Sequence, residues 1–457
     1  MTAALADERM SDVDALVWNI ESRPRNRTTI GALVRFDAPL DSAELCHRVE
    51  RASRVVPRLR QRVVPDPLPI AAPRWSVDPD FRLSFHLRCL QLAGGDDSRL
   101  AEVVRDLMVQ PFERSRPLWE FTHLTGLADG GDALLLKSHH AVSDGVGSVE
   151  MMLELFDIES SESRVMPPLP SPPPPSDTAP DLVGSVRHEV AAALGGICAT
   201  LERLTTMRSL PEATEASRSL GEAVGSMARM LRPRGSDPAV PAARSDGLDL
   251  RFFSIPLDDL RTAGRRVGGT VNDAFVAAVA LATAAHFGGR GERALHISVP
   301  INTRDARAGV GNHWAPGRVE IDLRDEIDHP TLLAQVHHAM RHAKDDPAHR
   351  LLGPVAAGLG RLPAAAAASA FSSFSSALDV AASNVPGSPV PLHLCGREVR
   401  AMIPFGPLSG CAINVTLLSH TGTAHIGVSS DPAAVTDPDR LTDDLRRSFS
   451  EITGAAR

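Results

Sequence analysis

The chain has 457 residues, of which 43% are hydrophobic and 23% charged, and its formal net charge is −8. That length supports two or three domains and a large core. The negative charge, with no long basic run, excludes a dedicated nucleic-acid binder, and no apolar run reaches the roughly 18 residues of a membrane span.

The five cysteines, Cys46, Cys89, Cys198, Cys395 and Cys411, are scattered, odd in number and without C-x-x-C spacing. This pattern fits buried thiols in a reducing cytoplasm. Met1 to Met10 carries Asp and Glu and no apolar core, so it does not read as a signal peptide. The expected location is cytoplasmic, with any membrane contact peripheral.

Ser11 to Trp18 opens a first domain. Thr28 to Phe36 reads as a strand, and Asp41 to Val55 as a helix capped by Asp41 or Ser42. Leu59 to Val64 and Trp75 to Leu92 read as further strands, and Leu100 to Val109 as a helix. Pro117-Leu118-Trp119 leads into another strand. Ala133 to Leu136 is a short, bounded apolar run, the pattern of a buried strand. Val146, Val149, Met152, Leu153, Leu155 and Phe156 then recur at helical spacing, which predicts a helix beginning near Ser143 or Asp144.

His139 and His140 therefore stand where a strand ends and a helix begins, a junction that can aim a side chain into a cleft. A neutral imidazole at pH 7 can take a proton from a hydroxyl. Asp144 can orient the loop or cap the helix, and Gly145 suits a tight backbone.

Past Glu159 the composition changes. Met166 to Pro180 is a proline-rich linker. Asp181 to Met230 reads as Ala-rich amphipathic helix broken at Pro211, either a connector lying on the protein or a membrane-surface helix. Arg232 to Asp249 reads as a loop. The domain plan is thus 1–160, a connector over 161–249, and 250–457.

Phe252 to Ile255 (strand) and Leu257 to Val267 (helix) open the last segment. An apolar helix follows Asn272-Asp273, with Thr270 or Asn272 as cap. Leu295 to Val299 is a strand leading into Pro300 and Arg304. Pro330 to Asp345 is an amphipathic helix on which His338 and His342 have metal-ligand spacing. No Glu follows the first of them and no third ligand is evident, so no metal is assigned. Asn384-Val-Pro386-Gly387 is a turn-forming tetrad. Gly410 to Ser419 and Ile426 to Ser429 are strands, and Pro438 to Phe449 is the final helix.

His139-His140-Ala-Val-Ser-Asp144-Gly145 resembles the HHxxxDG motif of the CoA-dependent acyltransferase superfamily. Pro117-Leu118-Trp119, Asn272-Asp273, Val299-Pro300 to Arg304, and Asn384-Val-Pro386-Gly387 resemble, in the same order, motifs of its bacterial wax ester synthase/diacylglycerol acyltransferase branch. Two positions depart from that pattern: Ser388 intervenes before Pro389, and His420 stands where the family usually has tyrosine.

The resemblance implies a mixed α/β fold of two chloramphenicol-acetyltransferase-like lobes around a channel. It implies acyl transfer from acyl-CoA, the donor substrate, to diacylglycerol or a long-chain alcohol. His140 would be the general base, supported by His139, Asp144 and Gly145. Pro117, Leu118, Trp119, Asn272, Asp273, Arg304, Asn384, Pro386 and Gly387 would line the substrate path. It implies no separate cofactor and no metal, and contact with a membrane or lipid inclusion. Two alternatives stay open: an acyltransferase of the same superfamily using a carrier-bound or non-lipid substrate, and a non-catalytic lipid-surface protein.

Overall fold

The chain is seen in a computed structural model that describes residues 8–68, 71–142, 154–158, 168–174, 181–191, 218, 221–226, 240–288, 294–302, 314–322, 328–375 and 378–454. The predicted helix start near Ser143, most of the proline-rich linker and the Arg304 loop lie outside the described residues.

The first half forms strands β1 (Glu8–Arg9), β2 (Thr29–Phe36), β3 (Gln61–Val64), β4 (Arg74–Val77), β5 (Leu87–Gly95), β6 (Trp119–Leu127) and β7 (Ala133–His139). Its helices are α1 (Asp12–Ile20), α2 (Ser42–Val55), α3 (Leu83–His86) and α4 (Asp97–Val109). The second half forms β8 (Asp249–Pro256), β9 (Ala294–Asn302), β10 (Trp314–Asp322), β11 (Val380–Val385), β12 (His393–Leu394), β13 (Arg397–Phe405), β14 (Ile413–His420) and β15 (Thr423–Ser430). Its helices are α5 (Leu257–Arg265), α6 (Val271–Phe287), α7 (His329–Lys344), α8 (His349–Gly360), α9 (Ala364–Ser375) and α10 (Pro438–Thr453).

Most of these elements start where the sequence predicts. Asp41 caps α2 by accepting the Ala43 and Glu44 N–H groups, which satisfies two orphan donors of the first turn. Residues 57–60, expected to begin a strand at Leu59, instead form a 3-10 turn, and β3 starts at Gln61. Pro57 at the first position favours such a turn. The stretch from Trp75 to Leu92 is likewise interrupted by the short helix α3.

Two six-stranded mixed sheets organise the chain, in the orders β12-β13-β2-β7-β6-β5 and β10-β9-β11-β14-β15-β8. Strand β7 is central in the first and buried on both faces. Leu134 and Leu136 pack with Leu45, Val49 and Ala52 of α2. Leu135 and Ala133 pack with Leu100, Val104 and Met108 of α4. Cover on both faces is why its sequence is a continuous apolar run rather than an alternation. In the second sheet α6 is buried along nearly its whole length, packed between α5, α7 and α10. Its alanine-rich sequence suits a helix with no solvent face.

The lobes interlock through β13. Its residues lie within the second half of the chain, between β11 and β14, yet it pairs antiparallel with β2 and so completes the first sheet. Strands β14 and β15 lie against it, and the contact is polar as well as apolar. His420 Nε2 donates to the Val399 carbonyl at 3.2 Å, Ser429 Oγ to Gly406 O at 3.0 Å, and Asn414 Nδ2 to Pro407 O at 2.8 Å. Among the described residues no helix is long and apolar enough to cross a membrane.

The crossing sets a strict size limit at Gly427, where an added Cβ would lie 1.7 Å from the Pro404 carbonyl oxygen. Gly427→Ala should therefore force the sheets apart and cost about 1–3 kcal/mol. Gly353→Ala, in α8 with open space around it, should instead be neutral or gain roughly 0.5–1 kcal/mol. Thermal melts of both variants check the pair. Equal melting temperatures would refute the close crossing.

Candidate active site

The site is built where β7 ends. His139 is the last residue of the strand and is fully buried, while His140 is half-buried in the turn that follows. Two neighbouring segments and one bond within the turn fix it by backbone hydrogen bonds. The His139 N–H donates to Leu118 O at 3.0 Å, the His140 N–H to Thr28 O at 3.1 Å, and the Val142 N–H back to His139 O at 2.9 Å.

The His139 ring has both nitrogens engaged. Nδ1 accepts the Ala141 N–H at 3.0 Å, which leaves the ring proton on Nε2. Nε2 lies 2.9 Å from Glu21 Oε2 and 3.1 Å from Thr28 Oγ1. Trp18 and Phe112 meet the ring edge-on, with centroids 6.0 and 6.3 Å away. Burial raises the Glu21 carboxyl, but the hydrogen bond from His139, the Thr28 N–H and the charge of Arg114 outweigh it. The carboxyl is held below its ordinary value. Arg114 itself stacks 3.5 Å over the Trp18 ring.

Lys137, two residues before His139 and on the same face of β7, is also buried. Its Nζ donates to Gln110 O at 2.8 Å and to Glu120 Oε2 at 3.2 Å, and sits 4.5 Å over the Phe112 ring. Burial lowers its pKa against the opposing pull of Glu120. The ammonium thus ties the loop at 110–112, and with it one wall of the His139 cage, to the strand.

The predicted substrate-path residues fall in three places. Pro117-Leu118-Trp119 adjoins the turn: Leu118 packs with Ala141, Val142 and Trp18. Trp119 is buried, donates Nε1–H to Leu59 O at 2.8 Å, and stacks 4.6 Å from His86. Asn384, Pro386 and Gly387 lie at the end of β11, against the end of β14. A Cβ on Gly387 would sit 2.0 Å from Ser419 O, and the Gly387 N–H donates to Ser419 Oγ at 3.2 Å. Close backbone approach explains this glycine.

Asn272 and Asp273 lie in the first turn of α6, in the second lobe. Asp273 Oδ2 accepts from the Thr270 N–H at 2.6 Å and from Thr270 Oγ1 at 3.0 Å, and lies 3.3 Å from His337 Nδ1. Its carboxylate therefore closes a capping box. Asn272 Oδ1 is enclosed and accepts no hydrogen bond among the described residues. Asp144, Gly145 and Arg304 lie outside the described residues. His338 and His342 meet edge-on on α7, with ring centroids 4.4 Å apart. Among the described residues no three ligating side chains converge on a metal site.

Sequence reading missed the residues that hold His139. Glu21 and Thr28 stand in the segment between α1 and β2, more than 110 positions before it, and nothing in their local pattern marks them. One signal was present: buried Lys137 and the polar pair His139-His140 directly continue an apolar run, so each needs an internal partner.

Comparison with known proteins agrees with this architecture. Residues 10–275 match the family model described as the wax ester synthase/diacylglycerol acyltransferase catalytic domain, and residues 311–453 match that family's C-terminal domain. A Mycobacterium tuberculosis protein named as a putative diacylglycerol O-acyltransferase is 36% identical over 99% of this chain and 93% of its own length. In fold, the chain is similar to the wax ester synthase/diacylglycerol acyltransferase of Marinobacter aquaeolei, with a TM-score of 0.66 and 22% identity over 98% of this chain and 100% of that one. The first condensation domain of the calcium-dependent antibiotic synthetase shares the fold at a TM-score of 0.64 and 16% identity, over 99% of this chain and 96% of that one. The two-lobed fold, the braced His139-His140 turn and both domain matches together place this chain in the wax ester synthase/diacylglycerol acyltransferase family.

Proposed function

We propose that the chain is an O-acyltransferase that moves a long-chain acyl group from acyl-CoA to the hydroxyl of diacylglycerol or a long-chain alcohol. His140 is the general base. It takes the acceptor's hydroxyl proton as the oxygen attacks the thioester carbonyl. A C–O bond forms, the C–S bond breaks, and the proton passes to the leaving thiolate. Positioned acid–base catalysis supplies roughly 10²–10⁴-fold; orientation and stabilisation of the developing oxyanion supply the rest.

The observation that carries this reading is the brace on His139. Glu21, Thr28, Leu118 and Ala141 fix the residue next to the base from four directions. A general base works only when its position is held near the productive geometry. His139 and Glu21 are positioning residues here.

The acceptor is apolar, so the enzyme should meet it at a lipid surface. Support for peripheral contact comes from the helical residues 182–191. Leu182, Val183, Val186 and Val190 are 52%, 74%, 44% and 53% exposed on one side of that helix. Ser185 and Glu189 hold the other side through Asp66, Arg9 and Arg361. A stripe of this kind lies in a lipid interface rather than across it.

Purified protein given palmitoyl-CoA with dioleoylglycerol or hexadecanol should release thiol only when the acceptor is present. His140→Ala should lose roughly 10²–10⁴-fold of that rate, and acceptor-independent release would exclude the reading. Glu21→Ala should cost roughly 100-fold in kcat with His140 intact, and Glu21→Gln less. Because the Glu21 pKa is lowered on folding, its stabilisation is complete above the ordinary value of 4.5 and fades as pH falls through the folded value. Urea titrations of Glu21→Gln below pH 4.5 should therefore show a flatter loss than the parent. Replacing Val183, Val186 and Val190 by serine should reduce sedimentation with dioleoylglycerol-containing vesicles while melting is unchanged. Unreduced binding would remove that surface.

A further inference from the structure

A cleft between the lobes opens on the same face of the first sheet as His139. Thr29, its cross-strand neighbour, and Met108 of α4 form one wall. Gly406 and the strap at 244–248 form the other. Three arginines line the cleft, Arg25, Arg27 and Arg244, and the first two stand apart. Neither of their guanidinia makes a hydrogen bond or an ion pair among the described residues. Arg25 stands exposed at the rim of the cleft. Arg27 is half-buried, and burial lowers its pKa against the pull of Glu21 and Asp246. A guanidinium loses solvation on burial and regains it only from an acceptor. Arg244, also in the cleft, is spent on the Gly410, Pro241 and Ala243 carbonyls. Asp431 is spent on Ser245. Asp246, exposed on the strap, is the acid that opposes an incoming anion.

We propose that Arg25 and Arg27 form a phosphate-binding subsite that receives the nucleotide phosphates of acyl-CoA, beside the strand end that carries His139. The proposal rests on the acyl-transfer reading above. Planar guanidinia bind phosphate by paired charge-assisted hydrogen bonds. A phosphorylated acceptor lipid offers the same chemistry, and the donor is favoured because the thioester substrate carries phosphate in every turnover.

The test compares two acyl donors on the full chain: palmitoyl-CoA, and S-palmitoyl-N-acetylcysteamine, which has the thioester but no phosphate. Arg25→Ala/Arg27→Ala should raise KM for palmitoyl-CoA roughly tenfold or more. Its kcat, and kcat/KM for the truncated donor, should change less than twofold. Asp246→Asn should lower KM for palmitoyl-CoA, a gain that a merely structural strap would not give. An unchanged KM, or equal losses with both donors, overturns the subsite. A rise in KM for lysophosphatidate as acceptor, with palmitoyl-CoA unaffected, overturns the donor assignment and gives the phosphate to the acceptor. If the parent protein turns over neither donor, the acyl-transfer reading fails. The subsite then stands or falls on whether adenosine 3′,5′-bisphosphate raises the parent's melting temperature and not the variant's.

Discussion

A buried imidazole with both nitrogens engaged is the constraint on which the region around β7 depends. His139 cannot turn without breaking its bond to Ala141 or its bonds to Glu21 and Thr28. Losing a partner at a buried polar group costs about 1–3 kcal/mol. Four separate segments therefore have to arrive together: the end of α1, the start of β2, the start of β6 and the turn itself. Each contributes little alone. Their convergence at one ring gives the following residue, His140, a defined place, which no loop of comparable length would have unaided.

The second lobe reaches the same point by a different route. Helix α1 packs on α8 and α9, and the short turn after it is pinned to α9. Asn26 Nδ2 donates to Ile20 O and Ala368 O, and Asn26 Oδ1 accepts from Ser372 Oγ. Asn19 Nδ2 donates to Gly360 O. Glu21 stands between Asn19 and Asn26. The carboxylate that holds His139 is thus carried on a segment clamped by the opposite lobe. The interface across β13 uses the same device, side-chain donors meeting main-chain carbonyls. This explains the histidine at position 420. What the position requires is a donor to Val399 O, and a buried imidazole supplies one. Burial lowers the His420 pKa, and that of neighbouring His425 falls to about 4. Burial is the main cause at both rings, and His420 adds to the lowering at His425.

Much of this was legible in the sequence for one reason: period and capping are local. The buried run at 133–136, the Asp41 cap and the all-apolar helix after Asn272-Asp273 are each written within a few residues, and each appears where the pattern puts it. Leu118 and Trp119 lie beside the turn. What stayed hidden is long-range. Nothing near Glu21 says that it will face His139. Nothing in Arg397 to Phe405 says that this strand leaves its own half to complete the first sheet. Asp273 shows the converse limit. A residue read as part of a substrate path spends its carboxylate on a helix cap, because in sequence a cap and a ligand look alike.

The electrostatics around the turn are arranged in opposition. The Lys137–Glu120 pair and the His139–Glu21 pair both adjoin the Phe112 ring. Each cation or donor has its own carboxylate, so neither is left to compete for the other's partner. A buried pair of this kind contributes little net stability, since desolvation offsets most of the attraction. Breaking one half is costly, however, and that asymmetry is what makes it useful. It penalises every rearrangement in which Glu21 would leave His139 for Arg27 or Arg114, both of which attract it from nearby. Glu21 stays where hydrogen bonds from His139 and Thr28 hold it, and the arginine at 27 is left with charge to offer to something that is not protein.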